Sequence, residues 1–484
     1  MAAPGEPKRL EVAVVGAGWA GLAAAIEATR AGAHVTLYEM APAAGGRARD
    51  VVWHGRVLDN GSHICIGAYV ETLRLLRIVG VDEAATFDRR PLTLVDCSGR
   101  GLRMRAGAPL VAFARAVLAR RGWSWRERIA LLRTAARWRR AEFRCGAGVT
   151  VAALTASLPK AVRVDFIEPL CVAALNTPAS EASGAVFLRV LQAALADSAG
   201  GADLLLPRVP LGGVLPAPAL AWLVGAGSVL RLAHRVDRIA RVAHASRVDG
   251  ERLDGVADAA EVGDGRFDGA TDAAGVDGER FHGGGDAWTV DGERFDRVVV
   301  AASAVEAARL VADVAPAWAR QATALRHEPI ATVYAQSSGS VLPEPLIALH
   351  ADAARPAQFV FDLGQLGREA GLLAFVISGA SRWVARGTAA TEAATLAQGR
   401  EQLAGCLRAP LEPVGTVVEK RATFACVPNL ERPPMRIAPG LVACGDYVEG
   451  PFPATLEGAV RSGVAAAAAT VDGSRENSTR GPRR

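Results

Sequence analysis

Apolar residues near the start of the chain form two short runs separated by a stretch of helical composition. Residues 12–15 (Val-Ala-Val-Val) make a four-residue apolar run, which is typical of a buried parallel strand. An alanine-rich stretch with good helix propensity follows and ends near Arg30. A second apolar run extends from His34 to Tyr38. The pattern predicts a strand–helix–strand unit, the building block of a parallel sheet.

Three glycines separate the first predicted strand from the helix. Gly16 permits a tight turn, Gly18 lets the backbone approach a diphosphate, and Gly21 lets the helix pack closely on the strand. A diphosphate would lie at the helix N-terminus, where free N–H groups and the helix dipole favour anions. Glu39 follows the second strand and can accept hydrogen bonds from ribose hydroxyls. Glycine clusters also form plain turns, but the complete order of elements favours a dinucleotide site, and the acid disfavours NADP.

A second glycine motif indicates which dinucleotide is bound. Gly45-Gly46-Arg47-Ala48-Arg49 follows Glu39 closely, and Leu58-Asp59-Asn60-Gly61-Ser62-His63 comes after it. Together they resemble the motif of the FAD-dependent amine oxidase and phytoene desaturase superfamily. That resemblance implies FAD as the cofactor, with Gly46 and Arg47 at the diphosphate. It also implies that the loop containing Asp59 and Gly61 passes near the flavin.

A further candidate cofactor element lies near the C-terminus. The apolar run 441–444 leads into Gly445-Asp446, and a helix is predicted over 455–463. A strand that ends in Gly-Asp before a helix N-terminus can face an anion. Asp446 could instead be a plain N-cap. The resemblance implies that Asp446 and the helix beginning near Thr455 approach the cofactor.

These patterns predict an α/β fold: a Rossmann-like FAD-binding domain interleaved with an α+β substrate domain that carries a helical cap over 108–200. One strand is expected from Val229 to Ile239, with Val236 at its centre as a candidate cofactor contact. The predicted boundaries are 8–75, 204–247, 290–305 and 415–472 for the FAD-binding domain, 76–203 and 306–414 for the substrate domain, 248–289 for an acidic loop, and 473–484 for a disordered tail.

The acidic loop consists of a fourteen-residue repeat. Four copies begin at Val248, Val262, Val276 and Val290, and only the fourth continues into an apolar strand. Residues 248–289 hold eleven acids against three arginines, and no face of the first three copies could enter a core. The period and the missing GGxGxD core argue against a calcium-binding repeat. The sequence predicts no metal site.

A basic segment with aromatic residues lies within the predicted cap. Between Arg115 and Arg144 there are ten arginines against Glu127 and Glu142, a net +8 in a chain of net +5. Trp123, Trp125, Trp138 and Phe143 are interleaved with them. The segment is either an exposed arginine-rich helix or an amphipathic surface that contacts anionic lipid with its aromatic rings at headgroup depth. No nucleic-acid motif accompanies it, so we expect no nucleic-acid partner.

Length and composition favour two domains in a cytoplasmic protein. The chain has 484 residues and no stretch of about eighteen apolar residues, and no apolar signal segment precedes the first strand. The seven cysteines are scattered, which favours reduced and mostly buried thiols. We therefore expect a cytoplasmic protein with peripheral contact on the inner face of the cell membrane.

Three segments narrow the resemblance to one group of this superfamily. Residues 58–76 (LDNGSH continuing to GAYVETLRLL), 169–178 (PLCVAALNTP) and 452–463 (FPATLEGAVRSG) resemble the hydroxysqualene dehydroxylase family, also called squalene-associated FAD-dependent desaturases. The resemblance covers residues 10–470 apart from the repeats. It departs from the family pattern at Ser62, where glutamine is expected, and at Tyr447, where tryptophan is expected.

That resemblance implies reduction of hydroxysqualene to squalene in hopanoid synthesis, with a squalene-pathway synthase handing over the substrate. The alcohol leaves poorly as hydroxide, so a general acid must protonate it. His63 is the first candidate, although it could simply orient its turn. Tyr69 and Tyr447 are alternatives, although each could be a packing residue. Alternative functions are a carotenoid (phytoene-type) desaturase, a flavin amine oxidase and, from another class, a non-catalytic lipid-escort protein.

Overall fold

The structure is a computed structural model that describes residues 9–197, 200–242 and 287–479; of residues 472–479 it describes the backbone only. The strands, numbered in chain order, are β1 Glu11–Val15, β2 His34–Tyr38, β3 Asp50–Trp53, β4 Arg56–Asp59, β5 Cys65–Ile66, β6 Phe87–Arg90, β7 Thr93–Val95, β8 Gly101–Arg103, β9 Leu204–Pro207, β10 Val229–Arg231, β11 Ile239–Arg241, β12 Trp288–Val290, β13 Glu293–Phe295, β14 Arg297–Val300, β15 His327–Gln336, β16 Leu346–Ala348, β17 Phe359–Asp362, β18 Leu372–Ile377, β19 Glu412–Phe424, β20 Arg436–Ala438 and β21 Leu441–Ala443.

The helices are α1 Trp19–Arg30, α2 Val70–Ile78, α3 Glu83–Thr86, α4 Pro109–Ala119, α5 Trp125–Arg140, α6 Val151–Leu154, α7 Lys160–Val162, α8 Glu168–Leu175, α9 Gly184–Gln192, α10 Leu211–Val214, α11 Pro216–Gly225, α12 Ala304–Val311, α13 Pro316–Thr323, α14 Ser381–Val384, α15 Thr388–Gln402 and α16 Leu456–Thr479. Two π-helical turns, Arg163–Ile167 and Ala193–Asp197, adjoin α8 and α9. Among the described residues, no helix is both long enough and apolar enough to cross a membrane.

The first sheet gathers strands from both ends of the chain. Its order is β10-β2-β1-β14-β21-β20, and every pair is parallel except β20 with β21. The apolar run 12–15 is buried in β1, because the strand lies at the centre of the sheet with a neighbour on each side. Helices α1 and α16 pack so closely that a Cβ on Gly463 would lie 2.1 Å from the Ala20 carbonyl oxygen. The predicted α/β fold with an interleaved dinucleotide-binding domain is confirmed.

The second sheet has five strands in the order β16-β17-β18-β15-β19, and all pairs in it are antiparallel. Strand β19 pairs with β15 along most of its length. The predicted return to the FAD-binding domain at residue 415 is therefore misplaced, because β19 belongs to the second sheet. The chain returns to the first sheet only at β20.

The cap is helical, as predicted, with α4 to α9 between β8 and β9. The LNTP segment connects this cap to the second sheet. Asn176 ends α8 in the left-handed conformation, with φ of 46°. Its amide nitrogen donates to the Glu328 carbonyl at 3.1 Å and to Thr423 Oγ1 at 2.9 Å, while its Oδ1 accepts from Gly379 N at 2.6 Å. One side chain thus connects the cap to β15, β19 and the end of β18.

Two predicted segments differ from the structure. The expected strand from Val229 to Ile239 is interrupted, because β10 ends at Arg231 and β11 begins at Ile239. Val236 lies buried in the loop between them. The prediction of a disordered tail over 473–484 is wrong for residues 473–479, because α16 continues to Thr479. Residues 480–484 lie outside the described part of the chain.

The predicted acidic loop over 248–289 lies outside the described residues except at its C-terminal edge. Ala287 is buried, and Trp288 and Thr289 belong to β12, which pairs with β11 and β13. Trp288 is fully buried, and its indole nitrogen donates to the Pro439 carbonyl at 3.1 Å. These three residues are part of the folded protein, so the predicted C-terminal boundary of the loop at residue 289 is wrong.

The cysteines differ in part from the prediction of reduced, buried thiols. Cys97 and Cys406 are joined by a disulfide across 309 residues, between the β7–β8 hairpin and the end of α15. The other five cysteines are free thiols, and four of them are buried. Sequence spacing gave no signal for the disulfide, because only the fold brings these two segments together.

Candidate active site

The glycine loop after β1 has the geometry that a dinucleotide requires. Gly16 has φ of +111°, and a Cβ there would lie 2.7 Å from the Ala301 carbonyl oxygen. A Cβ on Gly21 would lie 1.8 Å from the Gly16 carbonyl oxygen. Gly18 is the N-cap of α1 and supplies no capping side chain, so the first N–H groups of the helix lack a side-chain acceptor. An anion can approach this helix end directly.

Glu39 supports this loop from the end of β2. Its Oε2 accepts a hydrogen bond from Ala17 N at 2.8 Å, and its Oε1 accepts one from Ala41 N at 2.9 Å. The side chain is buried, yet each carboxylate oxygen can accept a further hydrogen bond. The carboxylate is therefore fixed beside the glycine loop and keeps acceptor capacity for ribose hydroxyls.

The second glycine motif packs against the first. Gly45 N donates to the Ala17 carbonyl at 2.9 Å. Gly46 has φ of +61°, and a Cβ there would lie 3.2 Å from the Gly18 Cα. Only glycine at this position keeps the two loops at this separation. The arrangement places Arg47 directly beside the dinucleotide loop.

Arg47 connects the two ends of the chain. Its Nη2 donates to Asp446 Oδ1, 399 residues away, in an ion pair, and its Nη1 donates to the Ala422 carbonyl at 2.7 Å. Burial opposes the charge of the guanidinium, but Asp446 and Glu419 more than offset it and keep the pKa of Arg47 above its usual value. The side chain still exposes 37% of its surface, so the cation retains space for a ligand.

The Gly445–Asp446 turn is held by the following helix. Gly445 N donates to Ser462 Oγ at 3.1 Å. A Cβ on Gly445 would lie 2.6 Å from the ring of Tyr447. Thr455 is the residue before α16, and its Oγ1 accepts from Gly458 N at 2.9 Å. Asp446 is buried at the junction of β21 with this turn.

His63 lies in the loop that follows β4. Its Nδ1 donates to the Gly61 carbonyl at 2.8 Å, which leaves Nε2 as the unprotonated nitrogen of the neutral ring. Burial lowers the pKa of His63 below its ordinary value. Gly61 has φ of +124°, and a Cβ there would lie 3.9 Å from Thr332 Oγ1. A neutral ring with Nε2 unprotonated can accept a proton more readily than it can donate one.

Tyr447 follows Asp446 and is 3% exposed. Its ring packs edge-on against Trp318, with centroids 6.5 Å apart. Its hydroxyl is buried and has no hydrogen-bond partner among the described residues, and the same is true of Thr332 Oγ1. Burial, with the nearby thiol of Cys444 and the Asp446 carboxylate, raises the pKa of Tyr447 well above 10, so the hydroxyl keeps its proton. A buried donor without a partner is what a bound cofactor or substrate would satisfy.

Tyr69, the third candidate acid, lies at the start of α2. Burial raises the pKa of Tyr69, and the neighbouring Cys65 and Glu457 add to this effect. The Glu457 carboxylate accepts hydrogen bonds from Glu71 N at 3.0 Å and from Thr72 N at 2.9 Å. Glu457, which lies in the first turn of α16, thereby caps the N-terminus of α2. Tyr69 is thus placed at a helix junction, and its catalytic role stays a prediction.

Two other predicted cofactor contacts are engaged with the protein. Asp59 is buried, and its two carboxylate oxygens accept from Leu211 N and from Arg368 Nη1, each at 3.0 Å. Burial raises the pKa of Asp59, although Arg368 acts in the opposite direction. The Val236 carbonyl accepts from Arg309 Nη2 at 2.7 Å. Direct contact of Asp59 or Val236 with the cofactor stays a prediction.

The structure adds residues that the sequence did not indicate. His327, at the start of β15, has its pKa lowered by burial and next by the positive charge of Arg47. Glu419 of β19 accepts from Asn60 Nδ2 at 2.9 Å, and the same amide donates to the Arg47 carbonyl at 3.1 Å. No local pattern marks His327 or Glu419, because the pairing of β15 with β19 brings them to the loop.

A cavity of about 310 Å³ lies beside the turn that carries Asp446. It is bounded by α9, by the segment after β19 and by the loop before α16, with Val186, Arg189, Phe424, Cys426 and Pro453 among its lining residues. The ring of Phe452, next to this cavity, lies between the guanidinium groups of Arg189 and Arg461, at 5.4 and 4.9 Å. None of the predicted cofactor or catalytic residues is among those that line this cavity.

The fold and this geometry define a dinucleotide-binding flavoprotein, and a family comparison agrees. Residues 19–471 match the family described as flavin containing amine oxidoreductase. Since this match covers most of the chain, the protein belongs to that family. A flavin enzyme of the oxidoreductase class is thus the function that the family supports.

Individual relatives match shorter parts of the chain. The zeta-carotene desaturase of Zea mays is 34% identical over 117 residues, which is 22% of this chain and 20% of that protein. The hydroxysqualene dehydroxylase of Sinorhizobium fredii is 26% identical over 241 residues, which is 48% of this chain and 55% of that protein. The matched region spans about a fifth of the first relative and about half of the second.

A solved oxidoreductase from Methanosarcina mazei superposes with a TM-score of 0.64 at 15% identity, covering 94% of this chain and 99% of that one. At this identity the likeness concerns the fold alone. The flavin family and the intact loop geometry confirm FAD as the cofactor. The glycine loop, Glu39, Arg47 and Asp446 are the residues that would hold it.

Proposed function

We propose that this protein reduces hydroxysqualene to squalene with FAD as its cofactor, as a step of hopanoid synthesis. The proposal is supported by the motifs over 58–76, 169–178 and 452–463 and by the similarity to hydroxysqualene dehydroxylase over 48% of the chain. The proposed substrate is a hydrocarbon chain that bears a single hydroxyl group. Such a substrate needs an apolar enclosure and one proton donor.

The observation that carries the proposal is the apolar interior of the cap. A cavity of about 30 Å³ lies between α4, α5, α8 and α9, and all twelve residues that line it are apolar. Phe113, Trp138, Phe166 and Phe187 supply its aromatic walls. A charged amine buried there would lack a compensating partner, whereas a hydrocarbon chain has no polar group to satisfy. The cap interior therefore supports an isoprenoid substrate by its apolar character and not by its volume, because a cavity of about 30 Å³ has room for only about one water molecule.

The reaction replaces a carbon–oxygen bond with a carbon–hydrogen bond. Reduced FAD, when bound, supplies the hydride that takes the place of the hydroxyl group. The hydroxyl group leaves as water after it receives a proton, so the chain must hold one acidic proton next to the oxygen of that hydroxyl group. A dry cavity prevents water from capturing the cationic carbon before the hydride reaches it.

Tyr447 is the proton donor that the geometry favours. Its hydroxyl is buried, has no hydrogen-bond partner among the described residues, and lies in the turn that carries Asp446. His63 holds a proton at Nδ1, but that proton is shared with the Gly61 carbonyl. We therefore assign the role of proton donor to Tyr447. In this proposal His63 is a positioning residue for the loop that follows β4.

A carotenoid desaturase is the second candidate, favoured by the match to zeta-carotene desaturase. In that case the same apolar cap would hold a polyene and electrons would flow from substrate to flavin. An amine oxidase is less well supported by the cap interior. A lipid-escort protein without catalysis would leave the intact FAD geometry without a use.

The test is anaerobic incubation of the reduced holoprotein with hydroxysqualene, phytoene, zeta-carotene and an aliphatic amine in parallel, the last three also with oxidised protein. We expect squalene to form with reoxidation of one flavin per squalene. Desaturated carotenoid, or oxidised amine, in place of squalene would assign the protein to one of the alternatives. Handover of substrate by a synthase stays a prediction.

A further inference from the structure

We infer that the outer face of α4 and α5 is a docking surface for anionic lipid bilayers. This docking surface consists of four exposed apolar side chains, Val111, Leu118, Trp125 and Ile129, and the arginines around them. It goes beyond the proposed reaction, because it would serve any substrate that is dissolved in a membrane. It also corrects the expected role of the tryptophans in this segment.

The apolar side chains are unusually exposed for their size. Trp125 exposes 64% of its surface and Val111 50%, while Leu118 and Ile129 expose about two fifths each. Of the twelve large apolar side chains exposed in the described part of the chain, these four fall within nineteen residues. Val111 and Leu118 are seven positions apart on α4, and Trp125 and Ile129 are four apart on α5, so each pair shares one helix face.

One arginine brings the two pairs together. Arg128 Nη1 donates to the Leu118 carbonyl at 2.9 Å, and its Nη2 donates to the Arg120 carbonyl at 2.7 Å. The same guanidinium lies over the ring of Trp125, 4.9 Å from its centroid. The end of α4 and the start of α5 therefore meet at one corner, where Arg128 contacts the Leu118 backbone and the Trp125 ring.

The charge around this corner lacks a counterpart among the described residues. Seven exposed arginines, Arg115, Arg121, Arg126, Arg133, Arg137, Arg139 and Arg140, form no ion pair with any described residue. Glu127 is engaged in the capping box of α5 with Ser124, and Glu142 pairs with Arg144. Unpaired cations around exposed apolar side chains match a surface with anionic headgroups over a hydrocarbon interior.

The other aromatic residues of the segment have a different role. Trp123 and Trp138 are 5% and 7% exposed, and Phe143 is also buried. Trp123 donates to Asp165 Oδ2 at 3.2 Å, and Trp138 packs edge-on against Phe187 with centroids 6.4 Å apart. The expectation that these rings lie at headgroup depth is wrong. They form the inner wall of the cap, directly beneath the docking surface.

The docking surface and the apolar cavity are thus opposite sides of the same two helices. Leu110 and Phe113 of α4 and Leu131 and Trp138 of α5 line the cavity, while Val111, Leu118, Trp125 and Ile129 face outward. Only α4 and α5 therefore separate the docking surface from the apolar cavity. Nucleic acid would match the arginines but would leave the exposed apolar side chains without a partner.

Binding of the full-length holoprotein to vesicles tests this inference. We expect flotation with vesicles of phosphatidylcholine and phosphatidylglycerol, little flotation with phosphatidylcholine alone, and weaker binding as salt increases. Leu118→Ser with Trp125→Ser should reduce the affinity at least about tenfold, since it removes two anchoring side chains. Arg133→Glu with Arg137→Glu should reduce it by a similar factor on anionic vesicles only.

A matched control is Val341→Ser with Arg320→Glu, which alters an equally exposed apolar side chain and an exposed arginine outside the cap. Its vesicle affinity should equal that of the unmodified protein, and all variants should retain bound flavin. Equal binding by the cap variants and the control would overturn the inference. So would binding to a DNA oligonucleotide without binding to vesicles, or vesicle binding that appears only after deletion of residues 248–285.

Discussion

The FAD-binding sheet and the helical cap depend on different kinds of contact. Where the glycine loop, α1 and α16 pack on the FAD-binding sheet, the decisive distances are between backbones: a side chain at Gly16, Gly21 or Gly463 would collide with a carbonyl group. In the cap the decisive contacts are between apolar side chains around a small apolar cavity. Backbone contacts tolerate almost no substitution, whereas apolar cores tolerate changes that conserve volume. The residues of the cofactor site can therefore be predicted from the sequence, whereas those of the substrate site cannot.

The largest effect should come from adding one methyl group in the first turn of α1, next to the glycine loop. In Gly21→Ala the new Cβ would lie 1.8 Å from the Gly16 carbonyl oxygen, so the glycine loop must move. We expect the variant to lose bound FAD altogether and to unfold at lower temperature. Gly225→Ala is the control, because a Cβ there meets no atom within 4 Å. Retention of FAD by Gly21→Ala would show that the loop tolerates displacement.

The cap should respond according to the side on which a tryptophan lies. Trp138→Ala should lower the free energy of unfolding by about 3–5 kcal/mol, because it empties part of the apolar core. Trp125→Ala should change it by no more than about 0.5 kcal/mol, because that ring is 64% exposed. Denaturant unfolding of the two variants checks both values. Similar losses of stability would contradict the division of the cap into inner and outer faces.

Tyr447→Phe separates catalysis from stability. Removing a buried hydroxyl without a partner should leave the melting temperature unchanged or slightly raised. If Tyr447 donates the proton, single-turnover reduction of hydroxysqualene should slow by about 100-fold. His63→Gln should slow it less than about tenfold. The reverse order of the two variants, measured by stopped-flow reoxidation of the flavin, would return the donor role to His63.

The smallest effect concerns the pH dependence of stability. Burial lowers the pKa of His63 from its ordinary 6.5, so the unfolded chain binds more protons than the folded one below that pH. Stability should therefore fall as pH falls from 6.5 towards the lowered pKa, by at most about 1.4 kcal/mol per pH unit for this group. His63→Gln should reduce that slope. An unchanged slope in thermal unfolding would show that His63 is not buried in the neutral form.

Much of the FAD-binding sheet could be predicted because its signals are local. Strands β1 and β2 and the end of α1 lie where the apolar runs placed them. The ion pair of Arg47 with Asp446 has no local signal in the sequence, and the family resemblance implied only that each of these residues approaches the cofactor. The interruption between β10 and β11 also escaped prediction, because the buried Val236 in a loop has the same apolar character as a strand residue.

The cap was predicted less well, for a geometric reason. Thirteen residues separate Trp125 from Trp138, which at about 100° per residue places them about 140° apart around α5. Helical spacing alone therefore assigns the two rings to different faces. The composition of the segment shows arginines and aromatic residues together but does not show which face of the helix each ring occupies. The disulfide between Cys97 and Cys406 depends on the fold and carries no pattern in the sequence.

The most direct test of the account is the FAD content of the purified protein and of a variant in which the two ends of the chain are uncoupled. We predict one FAD per chain in the unmodified protein. In Arg47→Ala the FAD affinity should fall by about 100-fold, since the variant loses charge-assisted hydrogen bonds. Arg56→Ala, which removes only a surface ion pair with Glu369, should keep the affinity. A folded, colourless protein that takes up no FAD, or an Arg47→Ala variant with undiminished FAD affinity, would contradict the account.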